Sequence, residues 1–161
     1  MINRKLLGIY LNDHLAGSTV GMEVARRAAR SNKGTGYGAF LRKLAKEIEQ
    51  DREGLKDMMS RLEFGEDIPK KLGAWAFEKV GRLKPNGQLT GYSPLSRVVE
   101  LEGLALGVTG KLALWKELHE LVDEEPRLDA AELDRLRERA ERQQVELEEH
   151  RLRAAREAFR S

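Results

Sequence analysis

Apolar residues recur at every third or fourth position along four stretches of the chain, the spacing that gathers them on one side of a helix. The clearest stretch reads Tyr37, Leu41, Leu44, Ile48, Asp51, Leu55, Met58 and Leu62 and predicts a helix from about Tyr37 to Leu62. Asp51 is its discordant member, because a carboxylate on a buried line must be paired or hydrogen-bonded. An earlier helix is expected over about Asn3–Arg30, with Leu7, Leu11, His14, Ser18, Gly21, Ala25 and Ala28 on its inner line. Asn32-Lys33-Gly34-Thr35-Gly36 closes it and joins it to the next.

A third long helix starts at Ser93-Pro94, a good N-cap followed by proline in the first helical position, and runs to about Val122. Leu101, Ala105, Val108, Leu112, Trp115 and Val122 mark its inner side. The fourth follows Asp123-Glu124-Glu125-Pro126, opens on the capping sequence Asp129-Ala130-Ala131-Glu132 and reaches about Phe159. Its seam is Leu133, Leu136, Ala140, Gln143, Leu147, His150, Ala154 and Ala158, and its other faces are dense in Arg and Glu. Between the second and third helices, Asp67-Ile68-Pro69 predicts a short extra helix over about 69–83, anchored by Trp75. Gly17 and Gly21 on the first helix, and Gly103, Gly107 and Gly110 on the third, form two smooth ridges. Each helical glycine costs about 1 kcal/mol relative to alanine, so the ridges predict close packing of these two helices.

The pattern makes the chain all-α: one domain over residues 1–161, an antiparallel four-helix bundle with a short helix in the long second connection. Composition narrows its chemistry. Lys and Arg number 29 against 27 Asp and Glu, for a net charge of +2, so the charges interleave rather than form a basic stripe. Nucleic-acid binding is therefore not expected, although the last helix carries Arg135, Arg137, Arg139, Arg142, Arg151, Arg153 and Arg156. There is no cysteine, which removes disulfides and thiolate chemistry. The most apolar stretch, Val98–Leu118, is broken by charges, so no membrane span is expected. Asn12, Asp13 and His14 interrupt the apolar start too early for a signal peptide. A cytoplasmic protein is the expectation. No P-loop, dinucleotide fingerprint, HExxH or nucleophile elbow occurs.

Polar residues on the inner lines are the remaining candidates. Asp13 and His14, Glu47 and Asp51, Glu102, and Glu146 and His150 bring carboxylates and imidazoles onto four helices. Bundle metal sites are built from such groups, which suit iron, manganese or zinc. With its long second connection, the architecture resembles the ferritin-like bundles. That resemblance implies a di-metal pattern of one Glu on each of two helices and Glu-x-x-His on the other two. Here the pattern is incomplete. Glu47-Ile48-Glu49-Gln50-Asp51 has no histidine, and Leu147 stands three before His150.

Topology decides whether the set can meet. In an up-down-up-down bundle, His14, Asp51, Glu102 and His150 share a level. With a ferritin-like crossover, the rise per residue moves Glu102 roughly 15–20 Å from His14. The expected function is non-catalytic: a bundle that binds a protein partner or associates with itself, with no catalytic residues and no cofactor. The alternative is a ferritin-like metal-binding protein or oxidase using Asp13, His14, Glu47, Asp51, Glu102, Glu146 and His150.

Overall fold

The structure, a computed structural model, describes residues 1–67 and 91–160. The expected short helix at 69–83, with Trp75, lies outside the described residues. Those residues form four helices and no strand: α1 (Arg4–Ser31), α2 (Gly36–Arg61), α3 (Pro94–His119) and α4 (Ala130–Phe159). None of these helices is long and apolar enough to cross a membrane.

The helix starts follow from local chemistry. Asn3, Thr35 and Ser93 each accept a hydrogen bond from a backbone N–H of the first turn, and Pro94 follows Ser93 where no N–H is needed. Asp129 Oδ1 accepts from Ala131 N at 2.9 Å and Glu132 N at 3.2 Å. The reciprocal half of that capping box is missing, because Glu132 turns to Arg61 of α2.

Contacts are densest within two helix pairs, α1 with α2 and α3 with α4. The core runs through all four helices. Leu11, Leu15, Leu41, Leu44, Met58, Leu101, Leu118 and Leu133 are fully buried. Burying one such side chain contributes about 1.5–3 kcal/mol. On α1 the inner line runs through Leu15, Ala16, Val24 and Ala29 as well as Leu11, Ala25 and Ala28. His14, Ser18 and Gly21, expected on that line, are only partly covered.

Polar bonds between helices show which ends meet. Arg4 donates to the Leu62 carbonyl at 2.5 Å and Arg26 to Glu49 at 2.8 Å, so the start of α1 lies beside the end of α2. The Met1 ammonium meets Glu124 at 2.7 Å and Arg27 meets Glu100 at 2.7 Å, so the start of α1 also lies beside the end of α3. Between α2 and α4, Lys43 meets Glu146 at 2.9 Å while Arg61 pairs with Glu132.

One packing expectation is overturned. A Cβ built on Gly17, Gly21, Gly103, Gly107 or Gly110 would meet no atom within 4 Å. The glycine ridges do not interlock. They border an open space, so α1 and α3 touch far less than α1 does α2 or α3 does α4.

Candidate functional site

That space is a cavity of about 420 Å³ between α1, α2 and α3. Its apolar wall includes Ile48 and Leu55 from α2 and Leu104, Val108 and Trp115 from α3. Tyr10 and His14 of α1 also line it, with their rings edge-on at 4.5 Å between centroids. Burial lowers the His14 pKa against the opposing charges of Glu117 and Asp13, which favours the neutral imidazole. Burial, together with a hydrogen bond to Glu117 and its charge, pushes the Tyr10 phenol up to about 12. Trp115 is buried, and its indole Nε1–H is the one buried side-chain polar atom among the described residues without a hydrogen-bond partner.

Asp51 lies on the same wall, 2% exposed. The pairing that its place on a buried line requires comes from two cations. Lys111 Nζ of α3 donates to Oδ2 at 2.5 Å, and Arg139 Nη1 of α4 donates to Oδ1 at 2.9 Å. From Lys111 the chain of bonds continues. Lys111 also donates to Gln143 Oε1 at 2.5 Å, and Gln143 Nε2 donates to Glu47 Oε2 at 2.8 Å. Arg142 then bridges Glu47 at 3.0 Å and Glu146 at 3.3 Å, and Glu146 accepts from Lys43 at 2.9 Å.

The result is a ladder of alternating charges joining α2, α3 and α4. It satisfies groups whose isolated burial would be costly. Burial would raise the Glu47 pKa, but hydrogen bonds from Gln143 and Arg142 outweigh it and hold the carboxyl below its usual range. Burial lowers the Lys111 ammonium, and the adjacent Asp51 carboxylate opposes that shift.

The ladder decides what the expected metal ligands are doing. Glu47, Asp51 and Glu146 each face cations from other helices. His150 stacks on Phe40, with ring centroids 3.9 Å apart, and its Nδ1 lies 2.7 Å from the Glu146 carbonyl oxygen. Glu102 is exposed on α3, and Asp13 is exposed beside His14. It is Glu117, not Glu102, whose charge acts on His14. Among the described residues, no group of three or more His, Asp or Glu is placed to hold a metal ion.

Sequence reasoning passed over the groups that complete the site. Lys111 and Arg139 read as ordinary helix-surface charges. A second cluster at the far end of the bundle was also missed. There Tyr92 and Arg27 both donate to buried Glu100, at 2.8 Å and 2.7 Å, and Asn32 Nδ2 donates to the Tyr92 hydroxyl at 2.9 Å. Glu100 lies three residues before Gly103, within the most apolar stretch, and that position was its only signal.

The cavity is a mainly apolar recess with Tyr10, Asp13, His14 and Ser18 along its α1 side, and it lies beside a network of matched charges. Comparison with family models, with curated proteins and with solved structures gave no match.

Proposed function

We propose that this chain is a non-catalytic bundle that works by associating with a second copy of itself across the outer face of α3 and α4. The carrying observation is a line of exposed apolar side chains on α4: Val145 at 62%, Leu152 at 42% and Phe159 at 68%. Steps of seven keep them on one stripe, as in a coiled-coil seam. Leu95 and Leu106 are exposed on α3, and the Gln144–Thr109 bond of 3.0 Å ties the two helices near the level of Leu106 and Val145.

Charge balance supports a copy as the occupant. Along α4, Glu132, Asp134, Glu138 and Glu141 are matched by Arg135, Arg137, Arg139 and Arg142 in the first half, and Glu146, Glu148, Glu149 and Glu157 by Arg151, Arg153, Arg156 and Arg160 in the second. Two α4 helices related by a two-fold axis and running in opposite directions therefore meet without opposing blocks of like charge. The local Arg151–Glu148 pair is solvent-exposed enough to exchange for contacts across the interface at little cost.

Sedimentation equilibrium tests this. The wild type should form dimers, and the double variant Leu106→Glu/Leu152→Glu should be monomeric with unchanged helicity. A wild-type chain that stays monomeric up to about 1 mM, where an interaction of only about 4 kcal/mol still registers, overturns it.

The inter-helix bonds also support a finer architecture. They favour antiparallel neighbours, with α2 and α3 running the same way, as a long crossover requires. That is the helix order of ferritin-like proteins. The likeness does not extend to the ligands, because Glu47 and Asp51 are held by Arg142, Lys111 and Arg139.

A further inference from the structure

We infer that the groove between the end of α1 and the first half of α2 binds a compact oligophosphate, a small molecule with several adjoining phosphate groups. The inference does not rest on self-association, because α1 and α2 form this groove and the exposed apolar stripe lies on α4.

Charge comes first. The whole chain carries a net charge of only +2. Elsewhere cations meet carboxylates, as Lys43 meets Glu146 and Arg61 meets Glu132. Here the fold gathers one sign. Arg26 and Arg30 of α1, with Lys33 just past its end, line one side of the groove, and Arg42 and Lys46 of α2 line the other. Glu49, the one carboxylate in the lining, is already held by Arg26 at 2.8 Å. Arg30, Lys33, Arg42 and Lys46 have no carboxylate partner among the described residues.

Helix-end preference accounts for only part of this. The macrodipole favours cations near a helix C-terminus, which covers Arg30 and Lys33. Arg42 and Lys46 sit in the first half of α2, where that effect gives cations nothing. Arg26 and Arg30, like Arg42 and Lys46, are like charges four residues apart, a spacing that destabilises a helix. The fold therefore holds uncompensated cations around one recess against local preference, and a polyanion relieves their repulsion.

Shape and chemistry narrow the ligand. The groove encloses about 470 Å³, within the roughly 300–1,000 Å³ of small-molecule sites. Ala29 and Ala45 are buried at its floor, so only methyl groups stand beneath the cations. Arginine presents a fork of donors that matches phosphate oxygens, and lysine adds a point charge. None of the described residues lining the groove is aromatic, so a nucleobase gains no stacking partner. Beyond Arg26 and Glu49 the two helices continue with Glu23 and Glu53, so a long polyanion running that way meets carboxylates.

The probe is inorganic triphosphate, titrated calorimetrically into the full chain without divalent metal at an ionic strength of about 10 mM, where the screening length is about 30 Å. It should bind saturably at one site per chain and more weakly as sodium chloride is raised, because exposed charges are screened. Arg30→Gln/Lys46→Gln removes one cation from each side of the groove. Glutamine is a good helix former, so this variant should stay folded and bind at least about tenfold more weakly. Lys5→Gln/Lys116→Gln removes the same charge from exposed positions outside the groove and should lose less than about threefold. A thymidine oligonucleotide of about twelve units should bind no more tightly than triphosphate, because its phosphates are spread along a strand. Vesicles of phosphatidylcholine carrying a phosphatidylinositol bisphosphate separate the two sources of such a group. No cosedimentation assigns the groove to the free molecule, and cosedimentation that triphosphate displaces assigns it to the headgroup. No saturable triphosphate binding, equal losses in the two double variants, or tighter binding of the oligonucleotide overturns the inference.

Discussion

Alanine at the glycine ridges separates two physical pictures of this bundle. If the ridges interlocked, a Cβ at any of them would push α1 and α3 apart at a cost of about 1–3 kcal/mol. The structure gives the opposite sign. At Gly17, Gly21, Gly103, Gly107 and Gly110 the added Cβ meets nothing within 4 Å. Only the helix preference remains, a gain of about 0.8–1.0 kcal/mol for each alanine. The quintuple variant should therefore gain about 4–5 kcal/mol if the sites act independently. Each single substitution should raise the melting temperature by roughly 2–4 °C in a chain of this size. Gly38 is the internal control. A Cβ there would sit 2.2 Å from the Asn32 carbonyl oxygen, a backbone atom that cannot swing aside. Gly38→Ala should cost about 1–3 kcal/mol or more. Urea denaturation with a common slope would measure the whole set. A loss of more than about 1 kcal/mol in Gly17→Ala or Gly107→Ala would refute the open-ridge picture, since helix propensity alone requires a gain.

The ladder predicts that Asp51→Asn folds but loses about 3–5 kcal/mol, because Lys111 is left buried without its counter-charge. Adding Lys111→Met should recover much of that loss in chemical denaturation, and a double variant no more stable than Asp51→Asn would show that the pair is not the source. Acid should destabilise the protein in two steps. His14 has a folded pKa below its ordinary value of 6.5, so its contribution is complete above that pH and drains as pH falls below it. Glu125, held down to about 2 chiefly by a hydrogen bond from Arg127, contributes fully above 4.5 and loses that contribution between 4.5 and about 2. His14→Gln and Glu125→Gln should each flatten the corresponding step in a pH series of melting temperatures, and an unchanged profile in either variant counts against its assignment. Protein expressed with added iron, manganese and zinc should carry no stoichiometric metal by elemental analysis. One equivalent that is lost on Asp51→Asn would restore the metal-binding alternative.

Four long helices, their caps and most of their inner faces were legible in the sequence, because the information is local. A repeat of three and four residues defines a face whatever it packs against, and Ser93-Pro94 or Asp129 starts a helix through its own first turn. Asp51 stood out for the same reason, as a charge on a line of apolar residues. Its partners did not, because Lys111 and Arg139 lie 60 and 88 residues further along the chain. Which lysine or arginine reaches Asp51 depends on how the helices pack against one another rather than on any helix alone. The same packing put the charge of Glu117 rather than Glu102 on His14 and paired Glu47, Asp51 and Glu146 with cations of other helices. The glycine ridges mark the boundary most sharply. A run of glycines says that side chains are absent, and absence serves a tight contact and an open cavity equally well. Only the tertiary structure, by leaving 4 Å of empty space beside Gly17, Gly21, Gly103, Gly107 and Gly110, decided between them.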